Sequence, residues 1–251
     1  MSSSSLLALL GYAEILICGA GLCVIAAKRL WTPYWALAAF LAVRIASDLS
    51  LNLIHMLWLG SANRGAFYSS YFYVYWTALG IEAVLGLLII YSTFRLTLTP
   101  LRGLQKLGRT VFGITFAIGL LALGSVVTRS MTGTKVLMVT ISQLQRTQSL
   151  LTLCVALLVL VALRPMGYSF RSAVFGIGLG LSLMSINDLV QAVLYALHPS
   201  VIQSSLLNLT NGLVMCLSLL IWTAYLAMPE PKRGDIASPL LRWNERLIGA
   251  A

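Results

Sequence analysis

The chain has 251 residues, of which 59% are hydrophobic and 10% are charged. A soluble domain is near half apolar and about a quarter charged, so this composition indicates a membrane protein. No stretch of ordinary charge density is long enough for a separate soluble domain. We therefore expect residues 1–229 to form a transmembrane domain and residues 230–251 to form a basic, amphipathic cytoplasmic tail.

Apolar runs of about 20 residues are long enough to cross a bilayer as helices. Seven such runs follow one another, so the sequence predicts an all-α membrane protein, a bundle of seven transmembrane helices. They cover residues 6–27, 33–58, 71–94, 110–127, 139–163, 172–196 and 204–228. The fifth run is the weakest because residues 142–149 are polar, and its helix begins either near residue 139 or near residue 146.

The distribution of Lys and Arg predicts the orientation of the bundle. Twelve of the seventeen lie in segments on the side of the C-terminus, and three lie on the opposite side. Because cytoplasmic loops are enriched in Lys and Arg, the N-terminus is predicted outside and the C-terminus in the cytoplasm. The net charge of +10 then faces anionic lipid, and we expect no nucleic-acid partner.

The first two predicted helices carry ionisable residues within their apolar runs. Glu14 lies on the first helix, and the second carries Arg44, Asp48, Asn52 and His55. Spacings of four, eight and eleven residues place the last four within roughly 80° of one helix face. We expect Arg44 and Asp48 to pair one turn apart, which would hold Asp48 ionised.

The third predicted helix opens with aromatic residues. Steps of three and four place Tyr68, Tyr71 and Tyr75 on one stripe that runs down to the carboxylate of Glu82. One interpretation is a membrane-interface belt, of which tyrosine is typical. The other is that the stripe lines an entrance, because aromatic faces above a carboxylate suit a cationic ligand.

The later predicted helices add polar residues between the midplane and the outer leaflet. These residues are Arg146, Asn187, Asp188, Gln191, Asn208 and Asn211. Arg146 has a second interpretation, because in a helix that begins near it the guanidinium would simply extend to the outer surface.

Charged groups that faced lipid would be costly for this chain. The four acids and two arginines named above would each cost about 2.5–3.5 kcal/mol at a helix centre, and together on the order of 15–20 kcal/mol. That exceeds a typical folding stability, so the groups must face each other or water. The surplus of acids also requires that one or two of them take a proton or hold a cation, and we expect Glu14 and Glu82 to be those. Either a packing network or a ligand pocket open to the outer face meets these demands.

The remaining features favour packing over chemistry. Gly176, Gly178 and Gly180 lie inside the sixth apolar run, where close helix packing explains them. The four cysteines also lie in apolar runs and are expected to pack. No lysine lies within an apolar run, which excludes a retinal Schiff base, and no hydrolase or metal motif is present. We therefore predict no enzyme activity, no cofactor and no metal.

Three stretches resemble a family of small bacterial seven-helix integral membrane proteins of uncharacterised function. They are residues 71–94 (YFYVYW…E…LLIIYSTF), residues 145–163, and residues 167–171 (GYSFR) with the following 175–180 (FGIGLG). The resemblance covers over half of the chain. In layout the chain is also similar to the seven-helix input modules of bacterial sensor kinases, without the kinase. The resemblance implies the fold and a bacterial origin, and therefore a location in the bacterial inner membrane; it implies no site residues.

These observations favour a receptor- or sensor-like protein. We expect it to bind a small ligand, a cationic one if the aromatic stripe lines an entrance, or protons, with Asp48 and Glu82 facing the site. It would signal to a cytoplasmic protein partner through residues 230–251, for which simple anchoring in the lipid headgroups is the alternative. A small proton-coupled secondary transporter and a structural subunit of a membrane complex are the alternative functions.

Overall fold

The computed structural model describes residues 3–59, 64–98, 110, 113, 145–154, 156–157, 167–197 and 205–231. Within this part of the chain the regular secondary structure is helical. Five long helices are present: α1 (Ser3–Ala27), α2 (Trp35–Leu59), α3 (Arg64–Leu98), α4 (Ala173–Leu197) and α5 (Ser205–Ala227). A shorter helical stretch covers residues 145–154.

Each of the five long helices is long and apolar enough to cross a membrane. The shortest, α5, has 23 residues and is therefore about 35 Å long, against about 30 Å for the hydrocarbon core of a bilayer. Large apolar side chains point outward from them, such as Leu16, which is 74% exposed, and Leu206, which is 73% exposed. An outer surface of this kind suits lipid, so the bundle is that of a multi-pass membrane protein.

The five long helices match five of the seven predicted spans to within a few residues, except for α3. That helix begins seven residues earlier than the predicted 71, because the aromatic segment before it continues the helix. The predicted span 110–127 lies outside the described residues apart from 110 and 113. The predicted span 139–163 is described as helix at 145–154.

The helices pack in the order α3–α2–α1–α5–α4, and α4 also contacts α3. Trp222 of α5 lies in the apolar core that all five long helices share, and it is 1% exposed. Its indole Nε1 donates to the carbonyl oxygen of Ile177 at 3.2 Å, and its ring meets Phe40 edge to face. The buried indole thus satisfies its one donor while it fills the space between three helices.

Glycines let α4 approach α5 closely. A Cβ added at Gly176 would meet the Tyr225 ring, and one added at Gly180 would meet the indole of Trp222. The prediction that this glycine run serves close packing is confirmed at these two positions.

Lys28 connects the end of α1 to the end of α5. Its Nζ donates to the carbonyl oxygens of Leu226, Ala227 and Met228 at 2.8, 2.7 and 2.7 Å. A cation is favourable at a helix C-terminus, where carbonyls lack helical partners. The contact also shows that α1 and α5 run parallel, with both C-termini at one end of the bundle.

One terminus of each of the five long helices lies at this end of the bundle. α2 follows α1 through the turn at residues 28–34, and the Tyr168 hydroxyl before α4 donates to the carbonyl oxygen of Leu96 near the end of α3 at 3.2 Å. We call this end the Lys28 face. Helices α1, α3 and α5 end there, and α2 and α4 begin there.

Candidate functional site

A cavity of about 460 Å³ lies among α2, α3, α4, α5 and the 145–154 stretch. Pockets for small ligands span about 300–1,000 Å³, so this cavity is large enough for one. The structure brings nine of the residues singled out in the sequence to its walls. They are Arg44, Tyr75, Glu82, Arg146, Asn187, Asp188, Gln191, Asn208 and Asn211.

The cavity lies deep in the bundle. Arg44 is nine residues beyond the start of α2, and at about 1.5 Å per residue it is about 14 Å from the Lys28 face, close to the middle of a 30 Å core. Asp188 is fifteen residues beyond the start of α4, which places it about 22 Å from that face. The polar walls therefore run from the midplane into the half of the bundle away from the Lys28 face.

Arg44 joins three helices through two ion pairs. Its Nε lies 2.5 Å from Oε1 of Glu14 on α1, and its Nη1 lies 2.7 Å from Oε2 of Glu82 on α3. Both carboxylate side chains are buried. Ser47, one turn along α2, donates to the carbonyl oxygen of Arg44 at 2.9 Å and lies 3.4 Å from Oε1 of Glu82. Charge-assisted hydrogen bonds of this kind are about twice as strong as neutral ones, so the three residues fix how α1, α2 and α3 meet.

The predicted pairing of Arg44 with Asp48 is wrong. The guanidinium reaches across to Glu14 and Glu82, where it gains two partners on neighbouring helices instead of one on its own. Asp48 Oδ2 is buried and has no hydrogen-bond partner among the described residues. Glu14 and Glu82 were expected to have no counter-charge, because Arg44 was assigned to Asp48. Arg44 instead provides the counter-charge for both glutamates.

Hydrogen bonds from uncharged donors hold the opposite wall of the cavity. Ser149 is fully buried and donates to Oδ2 of Asp188 at 2.7 Å. The side-chain amide of Asn187 donates to Oδ1 of Asn211 at 2.8 Å, which links α4 to α5. Arg146 lines the cavity but is exposed overall, in keeping with the interpretation that its guanidinium lies toward a surface.

Sequence reasoning missed the contribution of the 145–154 stretch to this wall. Gln145, Gln148 and Ser149 line the cavity, and the Gln148 side chain occupies the space where a Cβ at Gly86 of α3 would lie. The signal was the polar run at residues 142–149, which was interpreted only as weakness of the fifth helix. Polar residues inside an apolar span are also the residues that face a cavity.

The remaining predicted site residues lie off the cavity walls. Glu14 reaches the site through Arg44 alone, and Asn52 and His55 are exposed further along α2. Asp48 does not line the cavity, so the prediction that it faces the site together with Glu82 is wrong. Tyr71 stacks on Tyr75, with ring centroids 6.4 Å apart and planes 4° from parallel. The predicted aromatic stripe therefore enters the cavity at Tyr75 and continues to Glu82. Tyr68 lies on the same helix, outside the residues whose side chains the structure describes.

No match is found when the chain is compared with models of protein families, with curated proteins or with solved structures. In the described part of the chain, no group of three or more His, Cys, Asp or Glu side chains is placed to hold a metal ion. The geometry of the cavity therefore carries the functional argument.

Proposed function

We propose that the protein is a receptor-like seven-helix protein of the bacterial inner membrane whose cavity binds a small ligand with a positively charged group or responds to protons. The observation that supports this function is a surplus of carboxylates in this part of the bundle, of which Glu82 and Asp188 line the cavity and Glu14 and Asp48 lie behind its wall. Glu14 and Glu82 share the single guanidinium of Arg44. Asp48 and Asp188 form no ion pair with any described residue. A buried carboxylate without a counter-charge is costly, so the surplus favours a proton or a cation as occupant.

The arrangement of helix ends supports seven spans. α3 ends and α4 begins at the Lys28 face, so the chain between residues 98 and 173 crosses the membrane an even number of times or not at all. The two apolar runs predicted there supply two crossings. The Lys28 face also carries Arg29, Arg95 and Arg171 in addition to Lys28, which favours a cytoplasmic location for it. The cavity would then lie toward the outside, and residues 230–251 would meet a partner in the cytoplasm.

Unbroken helices favour a receptor over a transporter. Secondary transporters commonly bind their substrate where helices are interrupted near the midplane. α2 and α3 run as continuous helices past Arg44 and Glu82. The cavity would therefore report occupancy through changes in helix packing at the Lys28 face.

A binding experiment on the purified protein in lipid nanodiscs tests this function. Thermal unfolding is measured with a panel of small organic amines and over a range of pH, because a ligand that binds the folded state raises the melting temperature. We expect Glu82→Gln and Asp188→Asn to lose the response, and Glu230→Gln, which changes an exposed carboxylate at the Lys28 face, to keep it. Unchanged responses in both cavity variants would refute the proposal and leave a structural subunit as the better interpretation.

Uptake distinguishes receptor from transporter. Proteoliposomes that contain the protein are loaded with any amine that binds, and exchange of labelled amine across the membrane is followed. A receptor shows binding without accumulation, whereas accumulation that depends on Glu82 would assign a transporter.

A further inference from the structure

Among the described residues, two charged residues of the cavity, Arg146 and Asp188, form no ion pair. The ion pairs of the described residues both belong to Arg44. Of the seven acidic residues in the sequence, the five described ones include none within ion-pair distance of Arg146, and the other two lie in the 230–251 tail. Asp188, which lines the same cavity, is hydrogen bonded to a neutral hydroxyl.

The same hydroxyl shows that the two charges belong to one wall. Ser149 lies three residues after Arg146 on the 145–154 stretch, so the two side chains share a helix face about one turn apart. Ser149 Oγ donates to Oδ2 of Asp188. This leaves Oδ1 of Asp188 for a ligand, and it orients the carboxylate from the helix that carries Arg146.

The other guanidinium of the cavity is already occupied. Arg44 is fixed by Glu14 and Glu82, so among the described residues that line the cavity Arg146 is the arginine that remains for an acidic group of a ligand. A ligand with an ammonium alone would satisfy Asp188 but leave its positive charge close to that of Arg146. A ligand with an acidic group alone would satisfy Arg146 but leave its negative charge close to that of Asp188.

We infer that the ligand is a small zwitterion, with its ammonium group on Asp188 and its acidic group on Arg146. This inference rests on the proposed function and narrows the class of ligand. Arg146 can bind an acidic group through two parallel hydrogen bonds. The linked amides of Asn187 and Asn211 line the same cavity and offer further hydrogen bonds. An amino acid or the headgroup of an aminophospholipid has this chemistry.

Affinities of matched probes test the inference. The protein is placed in nanodiscs of phosphatidylglycerol, whose headgroup has no amine, and is titrated calorimetrically. The first panel contains the standard amino acids and ω-amino acids of two to six carbons. The second contains the amine and the acid that match the tightest zwitterion of the first panel in hydrocarbon chain; for leucine these are 3-methylbutylamine and 4-methylpentanoate. Glycerophosphoethanolamine represents the lipid headgroup and distinguishes that source from a free solute.

We expect at least one zwitterion to bind on the order of tenfold or more tightly than its amine and acid counterparts. Arg146→Gln should abolish this advantage and leave the amine bound at least as tightly as before, whereas Arg171→Gln, which changes an exposed arginine at the Lys28 face, should change neither affinity. Because Arg146 is exposed, its substitution should not unfold the protein. Amines that bind as tightly as every zwitterion, unaffected by Arg146→Gln, would overturn the inference while the proposed function stands. If no probe of any class binds, the inference fails and so does ligand binding as the proposed function, which then rests on the pH response alone.

Discussion

Replacement of Arg44 by Met tests whether one guanidinium holds α1, α2 and α3 together. The carboxylates of Glu14 and Glu82 are only 9% and 8% exposed and both depend on Arg44 for a counter-charge. Removal of one partner of a buried ion pair costs about 3–5 kcal/mol. Arg44→Met removes two pairs at once, but each carboxylate can take a proton instead. We therefore expect a loss of about 3–5 kcal/mol in the free energy of unfolding rather than twice that amount.

The assay is equilibrium unfolding in mixed micelles of detergent and sodium dodecyl sulfate, followed by circular dichroism. The triple variant Glu14→Gln/Arg44→Met/Glu82→Gln carries no charge at this point, so it should recover most of the loss, because substitutions within one network are not additive. Arg171→Met is the matched control, and as an exposed residue it should change stability by no more than about 0.5 kcal/mol. The reasoning is refuted if Arg44→Met is as stable as this control, or if the triple variant is no more stable than Arg44→Met alone.

Three further predictions concern helix packing and helix ends, and the same unfolding assay checks them. Gly180→Ala should lose about 1–3 kcal/mol because the added methyl group meets Trp222, whereas Gly19→Ala, where nothing lies within 4 Å, should be neutral or slightly stabilising. Lys28→Met should lower the free energy of unfolding by about 2 kcal/mol, because it removes three hydrogen bonds to the end of α5. Equal stability of the variant and the wild type would show that Lys28 does not stabilise the end of α5. Arg29→Gly should raise the free energy of unfolding by about 1 kcal/mol, because Arg29 follows the end of α1 with a φ of 55°, which glycine adopts without strain. A lower free energy of unfolding would show that the arginine side chain matters more than the backbone.

The positions of the helices followed from the sequence because a bilayer imposes length and polarity on each span. The apolar runs at 6–27 and 204–228 differ from α1 and α5 by only a few residues at each end. α3 was predicted too short, because its first turns are rich in aromatic and polar residues that the apolar criterion does not count. A helix can project beyond the hydrocarbon core, and hydropathy alone does not detect that part.

The partners of the buried charges did not follow from the sequence. Spacing along one helix shows that Arg44 and Asp48 are neighbours, but it does not show how α2 is rotated against α1 and α3. That rotation carries the guanidinium to Glu14 and Glu82. Depth was more informative than spacing, since residues expected at one level, such as Asp188 and Asn211, do line one cavity.

The contact between Arg44 and Glu14 has a consequence for the synthesis of the protein. Both residues lie within the first 59 residues, so their pair can form as soon as α1 and α2 have left the ribosome. An arginine at the centre of a helix opposes insertion into the membrane by about 2.5–3.5 kcal/mol. α2 need not meet that cost alone if it enters as a hairpin with α1, with the two charges already joined. Glu82 then pairs with Arg44 when α3 inserts. The hairpin of α1 and α2 therefore already contains the guanidinium to which the third helix binds.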